Sequence, residues 1–525
     1  MKKSLHIVLL AVMLLFVSVT AYADASSVTI GLSQEPVSLD PAAGLYVAEQ
    51  FVDQQIYEPL IYADPELNFH AGLATEWSAN DEGTEFSFTL REGVKFHDGT
   101  DFTAKDVKVS MDRAAEGKSV AAASPSIMTD YIETEIVDDT HVVIKFSTPH
   151  ATFLQDLTRP WMMIVSSAAI EAEGDDYGRM PVGTGPFKLT EWVAQDHITL
   201  VKNEDYNWAP DFYAHDGAAY LDQIDFRFMP EAATRLTAFE SGEAQIVQSP
   251  SYLEASLYAD DPNVQLFTFA APGMASHQML NTEKSPTDDI NVRKAMIYAV
   301  DQETLVQTAF YGLQPAAHNV LSPTTWSYNE EAASLYSYDP AKAAALLEES
   351  GWVDNDGDGI REKDGEKLHL EYVALPAYEA SFMELLAYYF NQVGFEVNII
   401  QLDDAGVSEY GYNSEHNLLN MGWISRDPSV LYITYYSGNI TDGTQSAYTR
   451  FRDDRLDEIL LTAPQTLDED ARKALYEEAQ MIIMENALVV PVHCYGSVYL
   501  ADAAIEGFRL DGEGIPYLYE ISYPE

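Results

Sequence analysis

An α/β fold divided into two or three domains is what this chain predicts, on three grounds. Stretches of period two alternate with stretches of period near 3.6 along the whole length. Without an N-terminal segment of 23 residues, 525 minus 23 leaves 502 residues, more than one hydrophobic core organises. No stretch reads as a flexible linker, the longest Gly/Asp-rich passage being Asp354 to Gly365. The domains are therefore expected to join through crossing strands, with no repeat and no low-complexity tract between them.

The elements follow in order. Glu85 to Leu90 alternates polar residues with Phe86, Phe88 and Leu90, the pattern of a half-buried strand. Val94 and Phe96 resume that alternation after Glu92-Gly93, which predicts a β-hairpin. Thr103-Ala-Lys-Asp106 is a capping box opening a helix with Val107 and Met111 on one face. Pro230 to Gly242 reads as a short helix closed by glycine, followed by a strand from Ala244 to Val247. Asp289 caps a helix whose Val292, Met296, Ala299 and Val300 recur at i, i+4, i+7 and i+8. Asp339-Pro340 starts the helix through Leu346 and Leu347, which Gly351 ends. Thr466-Leu-Asp-Glu469 is a second capping box, before a helix with Leu475, Ala479, Ile482 and Ile483 facing inward.

The N-terminus carries Met-Lys-Lys, a mostly apolar run from Leu5 to Val19 and Ala21-Tyr22-Ala23 before Asp24. A basic start, a short apolar core and an A-x-A site predict a signal peptide over residues 1–23. No cysteine adjoins that cleavage point, so no lipid anchor is expected and a freely diffusing periplasmic protein is. No second apolar stretch is long enough to span a bilayer, so a transport role would need separate membrane subunits. The sole cysteine, Cys494, excludes an internal disulfide and is expected as a small buried group beside Val489-Val490-Pro491-Val492.

The formal charge is -55, and removal of Lys2 and Lys3 with the leader leaves 27 minus 84, or -57. Nucleic acid and anionic membranes are excluded as partners, because each phosphate contact needs a cation. The acids spread along the chain without clustering, which fits a solvated acidic surface better than a cationic ligand.

Trp77 to Arg113 resembles the signature of family 5 extracellular solute-binding proteins, the peptide- and nickel-binding receptors of ABC importers. Three further landmarks resemble that family in the family's order: Ser38-Leu-Asp-Pro41, Pro181-Val-Gly-Thr-Gly-Pro-Phe187 and the run from Asn281 to Ala295. The resemblance implies a two-lobed periplasmic-binding-protein type II fold with an inserted subdomain. Domain I would comprise 24–72, 186–282 and 498–525, the inserted domain Ib 73–185, and domain II 283–497. Ligand would sit between lobes that close by a hinge. The implied partners are a peptide or peptide-like solute and the permease subunits with their cytoplasmic ATPases, the receptor itself acting as a monomer. A receptor for a nickel chelate or an anionic conjugate is the alternative.

Met421-Gly-Trp-Ile-Ser-Arg-Asp-Pro428 is the candidate site, a loop delivered by a strand over Asn417 to Met421. In the dipeptide and oligopeptide receptors it resembles, the matching loop is longer and carries an aspartate for the ligand's amino group. Here Arg426 or Ile424 falls at that place, depending on the direction of counting. A buried guanidinium suits a carboxylate and repels an ammonium, so an acidic or blocked ligand end is expected. Pairing of Arg426 with Asp427 or another acid is the equal rival. Trp423, Ser425, Arg426 and Asp427 are the candidate ligand-binding residues of this loop. Tyr46 joins them because it follows the Ser38 landmark, where such receptors line the cleft.

Gly183-Thr-Gly185 precedes a strand-like run and so reads as a tight turn, since phosphate loops open helices. Asp354-Asn-Asp-Gly-Asp-Gly359 begins like a calcium loop, but its twelfth position is Gly365, with Glu366 one place late. A structural hairpin is expected there, with no metal or cofactor. Twelve histidines lack metal-ligand spacing. No HExxH, G-x-S-x-G or P-loop occurs, which leaves a hydrolase without a recognisable nucleophile and favours a binding protein over an enzyme.

Overall fold

The computed structural model of the protein describes residues 26–44, 47–64, 68–116, 128, 130–375, 380–440 and 446–524. Three sheets organise them. The largest has seven strands in the spatial order Val264–Ala270, Gly496–Asp502, Ile246–Gln248, Ser27–Leu32, Gln223–Phe228, His197–Lys202 and Phe187–Val193. Ser27–Leu32 is parallel to both its neighbours and sets Ile30 beside Phe226 and Ile246, all fully buried. Val28, Ile30 and Leu32 share one face of this strand and are fully buried, while Ser27 and Thr29 on the other face are half-buried. The helix Val47–Ile56 covers this sheet, its Phe51 meeting Phe226 edge-on at 5.3 Å.

A four-stranded antiparallel sheet, Ala74–Ala79, Glu85–Leu90, His141–Phe146 and Tyr131–Asp138, is covered by the helix Ala104–Ala115. It shares one continuous hydrophobic core with the seven-stranded sheet. The expected strand from Glu85 to Leu90 is present, but the hairpin across Glu92-Gly93 is not. Leu90's strand pairs with Ala74–Ala79 and His141–Phe146 instead, while Lys95 makes only an isolated bridge to Asp101. Gly93 does turn the chain, at φ +80°, and Val94 and Phe96 are buried under helix and sheet as packing residues.

The third sheet has the order Glu396–Gln401, His369–Ala374, Leu418–Met421, His277–Leu280 and Val489–Pro491. Its two faces carry separate cores, one around Met296, Leu347 and Phe390 and one around Leu431, Leu456 and Tyr476. Caps stand where local chemistry predicts them at Asp289, which accepts from Asn291 N, and at Asp339, which accepts from Lys342 N, each at 2.9 Å. The long helix Glu469–Glu485 is capped by Asp468, from Ala471 N at 2.8 Å, two residues beyond the expected Thr466. Aspartate accepts more strongly than a hydroxyl, and Thr466 closes the preceding short turn.

Two chain crossings join the seven-stranded and five-stranded sheets. Residues 271–276 lead from Val264–Ala270 to His277–Leu280, and 492–495 lead from Val489–Pro491 to Gly496–Asp502. They run side by side, with Ala271 N bonded to Tyr495 O and Ser276 N to His493 O, each at 2.7 Å. Cys494 lies buried in this junction with Ala275 and Ala317, and burial pushes its thiol up. No described helix is long and apolar enough to cross a membrane.

Candidate functional site

The candidate loop lies against the first crossing. Met274 N bonds to Trp423 O at 2.9 Å, and Ser425 N to Pro272 O at 3.0 Å. Gly273 makes this possible: it sits at φ +103°, and a Cβ there would lie 2.4 Å from Ser425 N. The backbone that delivers Ser425 and Arg426 is thus fastened to the segment joining the two sheets. Trp423 is half-buried against the core of the second lobe, and Ile424 beside it is exposed.

From Ser425 the chain turns inward, and Ser425, Arg426 and Asp427 are all buried. Ser425 Oγ donates to Asp427 O at 3.0 Å and accepts from Arg159 Nη2 at 3.1 Å. Asp427 caps the short helical turn Pro428–Val430 through Ser429 N at 2.8 Å. Its Oδ2 has no hydrogen-bond partner among the described residues and faces Arg472 Nη1 at 3.8 Å. Burial drives the Asp427 carboxyl up, opposed by the nearby Arg472. Arg472 in turn lies over the Trp326 ring, 4.6 Å from its centroid. Of the two forms of the rival reading, pairing of Arg426 with Asp427 is not formed, since Asp427 turns to Arg472, and pairing with another acid is.

Arg426 points instead to the C-terminal turn Asp511-Gly512-Glu513, with Nε 4.0 Å from Glu513 Oε1. Gly512 lies flat on the guanidinium, where a Cβ would meet Cζ at 2.7 Å. The same Glu513 Oε1 accepts from Arg159 Nη2 at 3.1 Å. Asp511 anchors the turn: its Oδ1 accepts from Glu513 N and Ile515 N, and its Oδ2 accepts from Gln54 Nε2 at 2.8 Å. Burial raises the Asp511 carboxyl, Arg426 opposes the rise and Glu513 adds to it.

Four distant segments, around Gln54, Arg159, Arg426 and Glu513, thus meet in one buried polar cluster. Arg426 Nη1, Gln54 Oε1 and Trp161 Nε1 are buried without a hydrogen-bond partner among the described residues, a state that costs free energy unless a further group supplies the bond. Arg159, Asp511 and Glu513 were not anticipated from the sequence. Arg159 did leave a trace: it is one of only 29 Lys and Arg residues, and an uncharged run from Pro160 to Ile170 follows it. Tyr46 lies outside the described residues.

The Gly183-Thr-Gly185 turn packs on the end of the first helix: Gly185 N bonds to Ile56 O at 2.8 Å, and a Cβ on Gly183 would lie 2.0 Å from that oxygen. Asp354, Asp356, Asp358 and Glu362 offer carboxylate oxygens within 4.8 Å of one another beside the two-stranded hairpin Glu362–Lys363 and Glu366–Lys367. Asp354 spends both oxygens on Gly357 N and Gly359 N, and Asp358 pairs with Lys367. The arrangement serves the turn as it stands.

The chain belongs to the bacterial extracellular solute-binding proteins, family 5, whose family model matches residues 68–443. It is 28% identical over 476 residues, 89% of each chain, to the glutathione-binding protein GsiB of Salmonella paratyphi A. It is 32% identical over 329 residues, 62% of each chain, to GsiB of Escherichia coli K12. Its fold matches NikA from Brucella suis in complex with Fe(III)-EDTA, with a TM-score of 0.84 and 24% identity over 95% of this chain and 100% of that one. It also matches the ABC transporter-associated periplasmic binding protein DppA from Helicobacter pylori in complex with the peptide STSA, with a TM-score of 0.77 and 24% identity over 95% and 98%. The α/β architecture is accordingly the two-lobed, type II periplasmic-binding-protein fold.

Proposed function

We propose that this protein is the receptor of an ABC importer for a small peptide-like solute that presents a carboxylate, with glutathione the first compound to test. The observation that carries the reading is the convergence of Arg159 and Arg426 from different segments on one buried point, with Arg426 Nη1 left open. A planar guanidinium edge held in a water-poor setting matches a carboxylate in shape and charge. The likeness to GsiB over most of both chains supports the same ligand chemistry. Trp423 and Ser425 complete the loop, Ser425 by orienting Arg159 and Trp423 by fixing the loop on its lobe. Asp427 acts as a positioning residue through Ser429 and Arg472.

The finer picture is proposed with it. The leader over residues 1–23 is removed, the receptor works as a periplasmic monomer without catalysis of its own, and permease subunits with cytoplasmic ATPases take over the solute. The division into domains I, Ib and II is proposed near the expected boundaries, with the paired crossings 271–276 and 492–495 as the hinge, which moves His277–Leu280 to domain II and the start of Gly496–Asp502 to domain I. Native mass spectrometry of protein from its own periplasm, followed by calorimetric titration with glutathione, tests the reading. Arg426→Ala is expected to weaken glutathione binding by about 100-fold, the range for removing one partner of a buried charge pair. Unchanged affinity in that variant removes Arg426 from the site. A ladder of unrelated peptide masses, or a metal-chelate mass, replaces glutathione as the ligand class.

A further inference from the structure

Glu513 occupies the position that an incoming carboxylate needs. One of its oxygens, Oε1, accepts from Arg159 Nη2 at 3.1 Å and stands 4.0 Å from Arg426 Nε. All three side chains are no more than 10% exposed. The turn beneath it is braced, because Asp511 binds the backbone of Glu513 and Ile515 and is itself held by Gln54. Gly512 allows that turn to press against the Arg426 guanidinium. Glu513 is therefore aimed at the two arginines by the fold and is not a mobile surface acid.

Two buried guanidinium groups without an acid would attract a solute with two or more carboxylates. Glu513 between them, with Asp511 also acting on Arg426, satisfies part of that demand, and Glu513 as the acid facing both guanidinium groups repels a second anionic group at short range, where low polarity magnifies the repulsion. The remaining open edge, Arg426 Nη1, suits a single carboxylate.

We propose that Glu513 is a specificity-determining residue, a built-in counter-ion to Arg159 and Arg426 that admits a solute presenting one carboxylate at this point and disfavours polyanions. The inference rests on the reading of Arg159 and Arg426 as solute-facing. Selection of this kind works by a repulsive element as much as by an attractive one.

The test is calorimetric titration of the wild type and Glu513→Gln with two probes, glutathione and citrate, citrate serving as a polyanion. The ratio of citrate to glutathione affinity is expected to rise at least about tenfold in Glu513→Gln, in the range measured for close charge pairs at interfaces. Glu513→Asp, which keeps the charge but withdraws it by one methylene, is expected to shift citrate affinity in the same direction by a smaller factor. Thermal unfolding checks that both variants fold, and if the glutamine variant does not, the aspartate variant decides by the same direction. Citrate affinity that is unchanged, lower or absent in the variants overturns the inference, even where glutathione binds the wild type well. Tighter citrate binding in Glu513→Gln by a protein that never binds glutathione supports the counter-ion role and removes glutathione as the solute.

Discussion

Glu58 is buried and held by side-chain donors from two other segments, and it shows how a single buried acid contributes to the pH response. It accepts from Trp208 Nε1 at 2.6 Å, Thr184 Oγ1 at 2.8 Å and Tyr206 Oη at 2.9 Å. Burial outweighs these donors and raises its carboxyl to about 7. In the unfolded chain the group ionises near its ordinary value of 4.5. Between those two values the folded state holds a proton that the unfolded state has lost, so folding stability falls as pH rises through this window and levels off above it. The size is about 3 kcal/mol. Burial pushes His97, His416 and His493 down to about 4, 4 and 3, and these groups add stability as pH rises toward 6.5, so the Glu58 contribution is read as the difference between wild type and Glu58→Gln in denaturant unfolding from pH 4.5 to 8. Stability at pH 8 relative to pH 4.5 should be higher in Glu58→Gln than in the wild type by about that amount, and identical pH profiles in both proteins would assign the titration to other groups. Asp53, Asp427 and Asp511 are also raised by burial and oppose the histidines in both proteins, so they cancel from the comparison. The Arg426→Ala and Glu513→Gln substitutions belong to this scale too, but they read out in ligand affinity, because their partners meet across separate segments of the chain.

At the scale of elements, Gly273 ties the Met421–Pro428 loop to the crossing 271–276. Its φ of +103° and its 2.4 Å clearance from Ser425 N leave no space for a methyl group. Gly273→Ala is expected to destabilise the protein by about 1–3 kcal/mol, from backbone strain and displacement of the Met421–Arg426 loop. It should also weaken solute binding at least about tenfold, because a shift of 1 Å misplaces Ser425 and Arg426 together. Thermal unfolding and titration measured on the same preparation check both; a loss of stability with full affinity would separate the loop's position from binding. What was legible in the sequence divides along the same line of locality. Caps at Asp289 and Asp339 rest on contacts of two or three residues, and so they stand where their spacing puts them. The supposed partner of Glu85–Leu90 failed because both edges of that strand are taken, one by Ala74–Ala79 through a short turn at 80–84 and one by His141–Phe146 from far along the chain. The loop from Met421 to Pro428 was recognisable by resemblance. Its companions were not: Arg159 lies 266 residues from Ser425 and 354 from Glu513, and no local pattern announces such a meeting.

For the whole molecule, 84 acids against 29 bases and a charge of -55 place the folded chain under steady self-repulsion. That repulsion opposes both folding and closure, since each process brings acids nearer to one another. Surface pairs such as Lys145–Glu135 and Arg455–Glu478 relieve it locally, and each is worth little by itself. The buried bridge of Arg159, Glu513 and Arg426 differs, because it supplies attraction between distant segments where solvent ions screen least. Raising sodium chloride from about 0.1 to 1 M shortens the screening length from roughly 10 to 3 Å. The melting temperature is therefore expected to climb with salt by about 1–2 °C for each kcal/mol of repulsion removed. Potassium chloride should act equally, because screening depends on ionic strength and not on the cation. Calcium chloride at matched ionic strength provides the control: a further rise would mean that the carboxylates of Asp354, Asp356, Asp358 and Glu362 hold the ion, whereas an equal rise leaves them as members of the general acidic surface. A melting temperature that falls with sodium chloride would mean that ion pairs, and not repulsion, dominate the electrostatics of this fold.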